Sequence, residues 1–168
     1  MKPFSKRRYH SLSAFVRDVR GLSRRRREIR ALMRGETIDA EFRERLMLAV
    51  TEVNGCRYCS YAHARTALTA GLTAADVDAL ARGGLGAAPP DQIPALLYAR
   101  HWAEADAKPD PEVRRRVLES YGETKTRDIE LAMHVIRVGN LMGNTSDYLV
   151  YRASLGRWGD ASPGRLPK

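Results

Sequence analysis

Apolar residues in this chain recur at steps of three and four, and no segment sustains an alternation of period two. That periodicity predicts helices and no strands. Leu12, Phe15, Val19, Leu22, Ile29 and Met33 make a heptad-like stripe, with Arg26 in the one missing place, Gly21 as a weak point and Gly35 as the stop. Asp39 is placed to cap a helix over about 40–53, with Phe42, Leu46, Ala49, Val50 and Val53 as its buried stripe. The run from Cys56 to Ala70 contains no Pro or Gly and reads as a helix closed by Gly71. Thr73 with Asp76 forms a capping-box variant that opens a short helix ending near Arg82.

The stretch Gly83-Gly84-Leu85-Gly86 lacks the preceding strand and the Lys-Ser/Thr ending of a phosphate loop, and reads as a linker continued by Pro89 and Pro90. A helix follows over about 92–107, with Ile93, Leu96, Leu97 and His101 along one side and Trp102 completing the core. Asp110-Pro111 starts another helix, which Gly122 ends. From Thr126 the longest apolar pattern runs to about Tyr151 through Ile129, Met133, Ile136, Val138, Leu141 and Met142; Gly139 and Gly143 allow either a close helix contact or a break. The expected fold class is an all-α helical bundle. Its divisions are a basic N-terminal arm and helix over 1–35, a helical domain over 36–152 and a loose tail over 153–168.

At 168 residues the chain is long enough for one sizeable core. No apolar run approaches the roughly 20 residues of a membrane span, and no apolar stretch precedes a small-residue cleavage site, so no secretory leader is expected. Charge is uneven. Residues 1–34 hold twelve of the 29 Lys and Arg but two of the 20 acids, a net +10 that leaves the remainder at −1. Residues 1–10 read as a flexible basic arm. The Arg-rich helix after it is either a solvated face packed on the body or a neighbouring subunit, or a contact for nucleic acid or another anionic surface.

The reactive side chains gather in Glu44–His63, ERLMLAVTEVNGCRYCSYAH. On a helix, residues three and four apart are neighbours, so Cys56, Cys59 and His63 share a face and the two sulfurs approach across one turn. Asn54 and Gly55 put Cys56 at or near a helix N-terminus, where free N–H groups favour a thiolate. His63 is placed to take a proton from Cys59 or to stabilise its thiolate. Glu44 has Met47 and Leu48 as helical neighbours and is expected to be partly desolvated, a setting for proton transfer. Glu52, one turn before Cys56, is the rival carboxylate, and spacing does not choose between them.

Glu44, eleven residues, Cys56, two residues, Cys59, three residues and His63, in the context NGCRYCSYAH, resembles the AhpD-like alkylhydroperoxidases of the carboxymuconolactone decarboxylase superfamily. The resemblance implies an AhpD-like helical bundle, here with an added basic N-terminal helix. It implies a thiol peroxidase or disulfide oxidoreductase in which Cys59 attacks a hydroperoxide, Cys56 is its disulfide partner, and Glu44 and His63 relay protons. It also implies homo-oligomers, commonly trimers or hexamers. In the best-known members a second histidine immediately precedes the second cysteine; here that position is Tyr58, which donates a hydrogen bond but is no near-neutral base.

Two closely spaced cysteines without others make no secreted disulfide framework, so a reducing cytoplasm in which the pair cycles is the expected setting. The reductant would be an external dithiol, a lipoyl or thioredoxin-like protein. No haem, flavin or nicotinamide motif is present, and no bound cofactor is expected. The competing readings are a redox sensor or nucleic-acid-associated protein working through the basic helix, and a zinc or small-molecule binder in which His63 and Glu44 complete a Cys56–Cys59 metal site. His101 and His134 read as ordinary helical histidines before they read as site residues.

Overall fold

In the computed structural model, residues 4–158 are described; they form seven helices and no strand. In order these are α1 (Leu12–Arg24), α2 (Arg26–Met33), α3 (Ala40–Asn54), α4 (Arg57–Ala70), α5 (Ala74–Ala81), α6 (Ile93–Glu104) and α7 (Pro111–Ala153). Their ends follow local chemistry. Asp39 accepts the N–H of Phe42, Thr73 and Asp76 close a capping box, and Gly71 closes α4 in the left-handed region at φ 116°. Gly122, at φ 72° and ψ 169°, breaks α7 into two arms. No helix among the described residues is long and apolar enough to cross a membrane.

The first helix differs from its expected form. The break falls at Arg25 and not at Gly21; Arg25 leaves helical geometry and its N–H bonds the carbonyls of Leu22 and Ser23. The helix is interrupted there, so the stripe read for one continuous helix loses its register. Leu12 and Met33, both in that stripe, are exposed, whereas Leu32 beside it is wholly buried.

Helix α3 runs through the middle and packs against α4, α5, α6 and α7. Every residue from Phe42 to Thr51 is buried, including Arg43, Glu44 and Arg45. The one-sided stripe expected for this segment is therefore corrected: a helix with neighbours on all sides has no solvent face, and its polar side chains must find partners inside. In α6 the inward side carries Leu96, Tyr98 and Trp102, while Leu97 points to solvent. The Tyr98 hydroxyl donates to Glu130 at 2.7 Å, which lets the largest of the fully buried side chains sit in the core.

Residues 4–9 do not behave as a loose arm; they lie along α7. The Arg7 carbonyl accepts from Asn144 Nδ2 at 2.8 Å, the Tyr9 N–H donates to Thr145 Oγ1 at 3.1 Å, and Phe4 packs edge-on against Tyr148. Lys6 pairs with Asp147, and Arg8 stacks 3.8 Å over the Tyr148 ring. Part of the N-terminal positive charge is thus spent inside the fold. Arg20, Arg24, Arg26, Arg27 and Arg30 remain exposed. Residues 1–3 and most of the expected tail, 159–168, lie outside the described residues.

The long arm of α7 backs the end of α3 and the start of α4 with one face. Asn140 Oδ1 accepts from Asn54 Nδ2 at 3.1 Å, and Asn140 Nδ2 donates to Thr51 Oγ1 at 3.1 Å. Asn144 Nδ2 also donates to the Asn54 carbonyl at 2.7 Å. One step earlier, a β-carbon built on Gly143 would lie 2.8 Å from Cys56 Sγ, so only glycine lets α7 approach this closely. Gly139 has open space around its missing β-carbon. Gly143→Ala is accordingly expected to lower stability by about 1–3 kcal/mol through overpacking. Gly139→Ala, in a helix interior, should be neutral or add up to about 1 kcal/mol. Asn140→Ala, which strands two buried partners, should cost about 2–3 kcal/mol. Denaturant unfolding of the three variants checks all of these.

Candidate active site

Cys56 is the N-cap of α4, at φ −80° and ψ 103°, and its Sγ accepts the Cys59 N–H at 3.3 Å. The sequence Asn54-Gly55 produces this placement. Asn54 ends α3 and is bonded to α7, and Gly55 turns the chain at φ 70°. Cys56 and Cys59 are joined as a disulfide across the first turn, with their Cα atoms 5.3 Å apart. The two sulfurs are not equivalent. Cys56 is wholly buried against Gly143, whereas Cys59 is half-buried and lines an open cleft of about 420 Å³.

That cleft also holds His63, one turn beyond Cys59, and is walled by Met33, Met47, Val135 and Ile136. His63 Nδ1 stands 2.7 Å from Glu44 Oε2. Glu44 has no solvent exposure, and its other oxygen accepts from Arg43 Nε at 3.1 Å and forms an ion pair with Nη2 at 3.0 Å. A carboxylate held by a guanidinium is an acceptor, so His63 Nδ1–H donates to it and Nε2 is the ring nitrogen left for other partners. The carboxylate that meets His63 is thus Glu44 and not Glu52.

Arg43 was not legible as a site residue. Its Nη1 donates to the Leu32 carbonyl at 3.1 Å and to that of Met33 at 2.9 Å, the last two residues of α2. It therefore ties the open C-terminal carbonyls of α2 to the Glu44 carboxylate. Its adjacency to Glu44 is the signal that the sequence carried.

Tyr58 stands in the place of the missing histidine. Its ring borders the cleft, but its hydroxyl donates to Asp147 Oδ1 at 3.0 Å and accepts from Arg57 Nη2 at 2.7 Å. His101 and His134 lie away from the cysteine pair. His101 Nε2 accepts the Asp110 N–H at 3.1 Å and steadies the turn into α7, and His134 stacks edge-on against Trp102 at 4.8 Å. Among the described residues no cluster of three or more His, Cys, Asp and Glu is placed to hold a metal ion. Within the motif the cysteines bond each other, and Glu44 is paired with Arg43 and His63.

An accessible sulfur, a buried partner sulfur and an imidazole oriented by a carboxylate make an arrangement suited to thiol redox chemistry. Comparison with known proteins agrees at the level of family. The model of the carboxymuconolactone decarboxylase family matches residues 20–105, just over half of the chain, from within α1 to the end of α6. Neither a search of curated proteins nor one of solved structures returned a match. With the motif, the helical fold and that match in agreement, the chain belongs to the carboxymuconolactone decarboxylase family.

Proposed function

We propose that this protein is a thiol peroxidase that reduces hydroperoxides through Cys59 and Cys56. The observation that carries the reading is the asymmetry of the pair: Cys59 borders the cleft beside His63, and Cys56 is buried behind it. His63 Nε2 takes the proton of the Cys59 thiol, the thiolate attacks the terminal peroxide oxygen, the O–O bond breaks, and the alkoxide takes that proton back from His63. Cys59 is then a sulfenic acid. The Cys56 sulfur attacks the Cys59 sulfur, the disulfide forms, and hydroxide leaves as water on gaining the proton released by Cys56. Two electrons pass from the dithiol to the peroxide, giving an alcohol and water. An external dithiol, of lipoyl or thioredoxin type, restores the pair by exchange.

Glu44 serves this cycle by fixing the orientation of His63 and stabilising its imidazolium. Arg43 keeps the Glu44 carboxylate paired where water does not reach. The apolar walls of the cleft limit water around the attacking sulfur, which strengthens each electrostatic contact there.

The direct test is the intact mass of fully reduced protein before and after one equivalent of an organic hydroperoxide. The expected result is loss of two hydrogens, with a trappable sulfenic acid at Cys59 in the Cys56→Ser variant and no turnover in Cys59→Ser. An unchanged mass, or full activity in Cys59→Ser, overturns the mechanism. His63→Ala should slow peroxide consumption by about 10²–10⁴-fold while the protein remains folded by circular dichroism.

A further inference from the structure

The cysteine pair sits between two charged clusters, and only one belongs to the proton relay. On the cleft side are Arg43, Glu44 and His63. On the other side is Asp147 of α7, with 1% of its side chain exposed. Its Oδ1 accepts from Arg57 Nη2 at 2.7 Å and from the Tyr58 hydroxyl at 3.0 Å, and its Oδ2 pairs with Lys6 Nζ at 3.3 Å. Arg57 and Tyr58 are the two residues between the cysteines. A buried carboxylate therefore holds the whole intervening dipeptide, and a lysine from the N-terminal arm completes the cluster.

Distance makes this cluster electrically relevant to the sulfurs. A β-carbon at Gly143, four residues before Asp147 on α7, would lie 2.8 Å from Cys56 Sγ and 3.9 Å from Cys59 Sγ. Asp147 is four residues further along α7, and the two side chains it holds, Arg57 and Tyr58, belong to the residues between the cysteines. A charge held within about 4–6 Å of a thiol shifts the balance between thiol and thiolate. Oxidation removes thiolate charge and reduction creates it. A positive field stabilises the reduced pair and makes it more oxidising; a negative field does the reverse.

We propose that Asp147 is a positioning residue that sets the redox poise of the Cys56–Cys59 pair, by holding Arg57 and Tyr58 and offsetting the positive charge of Arg57 and Lys6. The inference rests on the redox reading of the pair. It goes beyond the relay, because Asp147 lies outside the segment matched by the family model, residues 20–105. It also gives the N-terminal arm a task, since Lys6 reaches the back of the disulfide turn.

The test equilibrates full-length protein with glutathione redox buffers and reads the oxidised fraction by alkylation and mass. No peroxide is present, so failure of peroxidase chemistry would leave this measurement intact. Asp147→Asn should shift the equilibrium toward the dithiol by about tenfold and move the alkylation of Cys59 to lower pH. Arg57→Met, which removes the opposite charge from a side chain that is 38% exposed, should shift both in the opposite sense. Asp147→Glu should return toward the parent values. Shifts of opposite sign support the proposal. Equilibria unchanged within about twofold, or moved in the same direction by both substitutions, overturn it. Should Asp147→Asn fail to fold, the sign of the Arg57→Met shift decides.

Discussion

The arrangement depends on one buried carboxylate that must not be left unpaired. Glu44 has no exposed surface, and Arg43 and His63 both contact it. Taking such a charge out of water is tolerated only when its partners are close and well oriented. Satisfying that need fixes three helices at once. Arg43 reaches the carbonyls that end α2, Glu44 belongs to α3, and His63 belongs to α4. The same contacts that settle the electrostatic cost also orient the imidazole beside Cys59, so stability and site geometry share one cause.

A second buried system complements the first. The α7 face carrying Asn140, Gly143, Asn144 and Asp147 meets the turn between α3 and α4. Asn140 and Asn144 satisfy polar groups of α3, Gly143 admits the Cys56 sulfur, and Asp147 gathers the residues between the cysteines. Asn140 and Asp147 each lie three or four residues from Gly143 and Asn144, so one helix face delivers all four. The disulfide turn is held from behind by α7 while its accessible sulfur opens to the cleft. This division leaves one sulfur open to the cleft and the other enclosed.

The N-terminal segment is a lesson in what charge counts conceal. Its net +10 reads either as a solvated face on a packed helix or as a contact for an anionic surface. In the fold, Lys6 is sequestered by Asp147, Arg8 lies on Tyr148, and the backbone of Arg7 and Tyr9 is bonded to α7. A long basic side chain has both an apolar stem and a charge to satisfy, and a nearby aromatic ring and carboxylate answer both needs. The arginines of α1 and α2 keep their exposure because α1 buries no residue and α2 only Leu32.

Sequence alone determined what is local. Helical period, the caps at Asp39, Gly71 and Thr73, the break at Gly122, and the alignment of Cys56, Cys59 and His63 all follow from interactions within one or two turns. Those distances are fixed by the helix itself. Tertiary structure alone decided what joins distant positions: the choice of Glu44 over Glu52, the pairing of Asn54 with Asn140 across 86 residues, and that of Lys6 with Asp147 across 141. It also decided the break at Arg25 and the burial of α3 from Phe42 to Thr51, because both depend on what packs alongside. No periodicity within a segment encodes the neighbour it will meet, so the local geometry of the motif was legible while the scaffold around it was not.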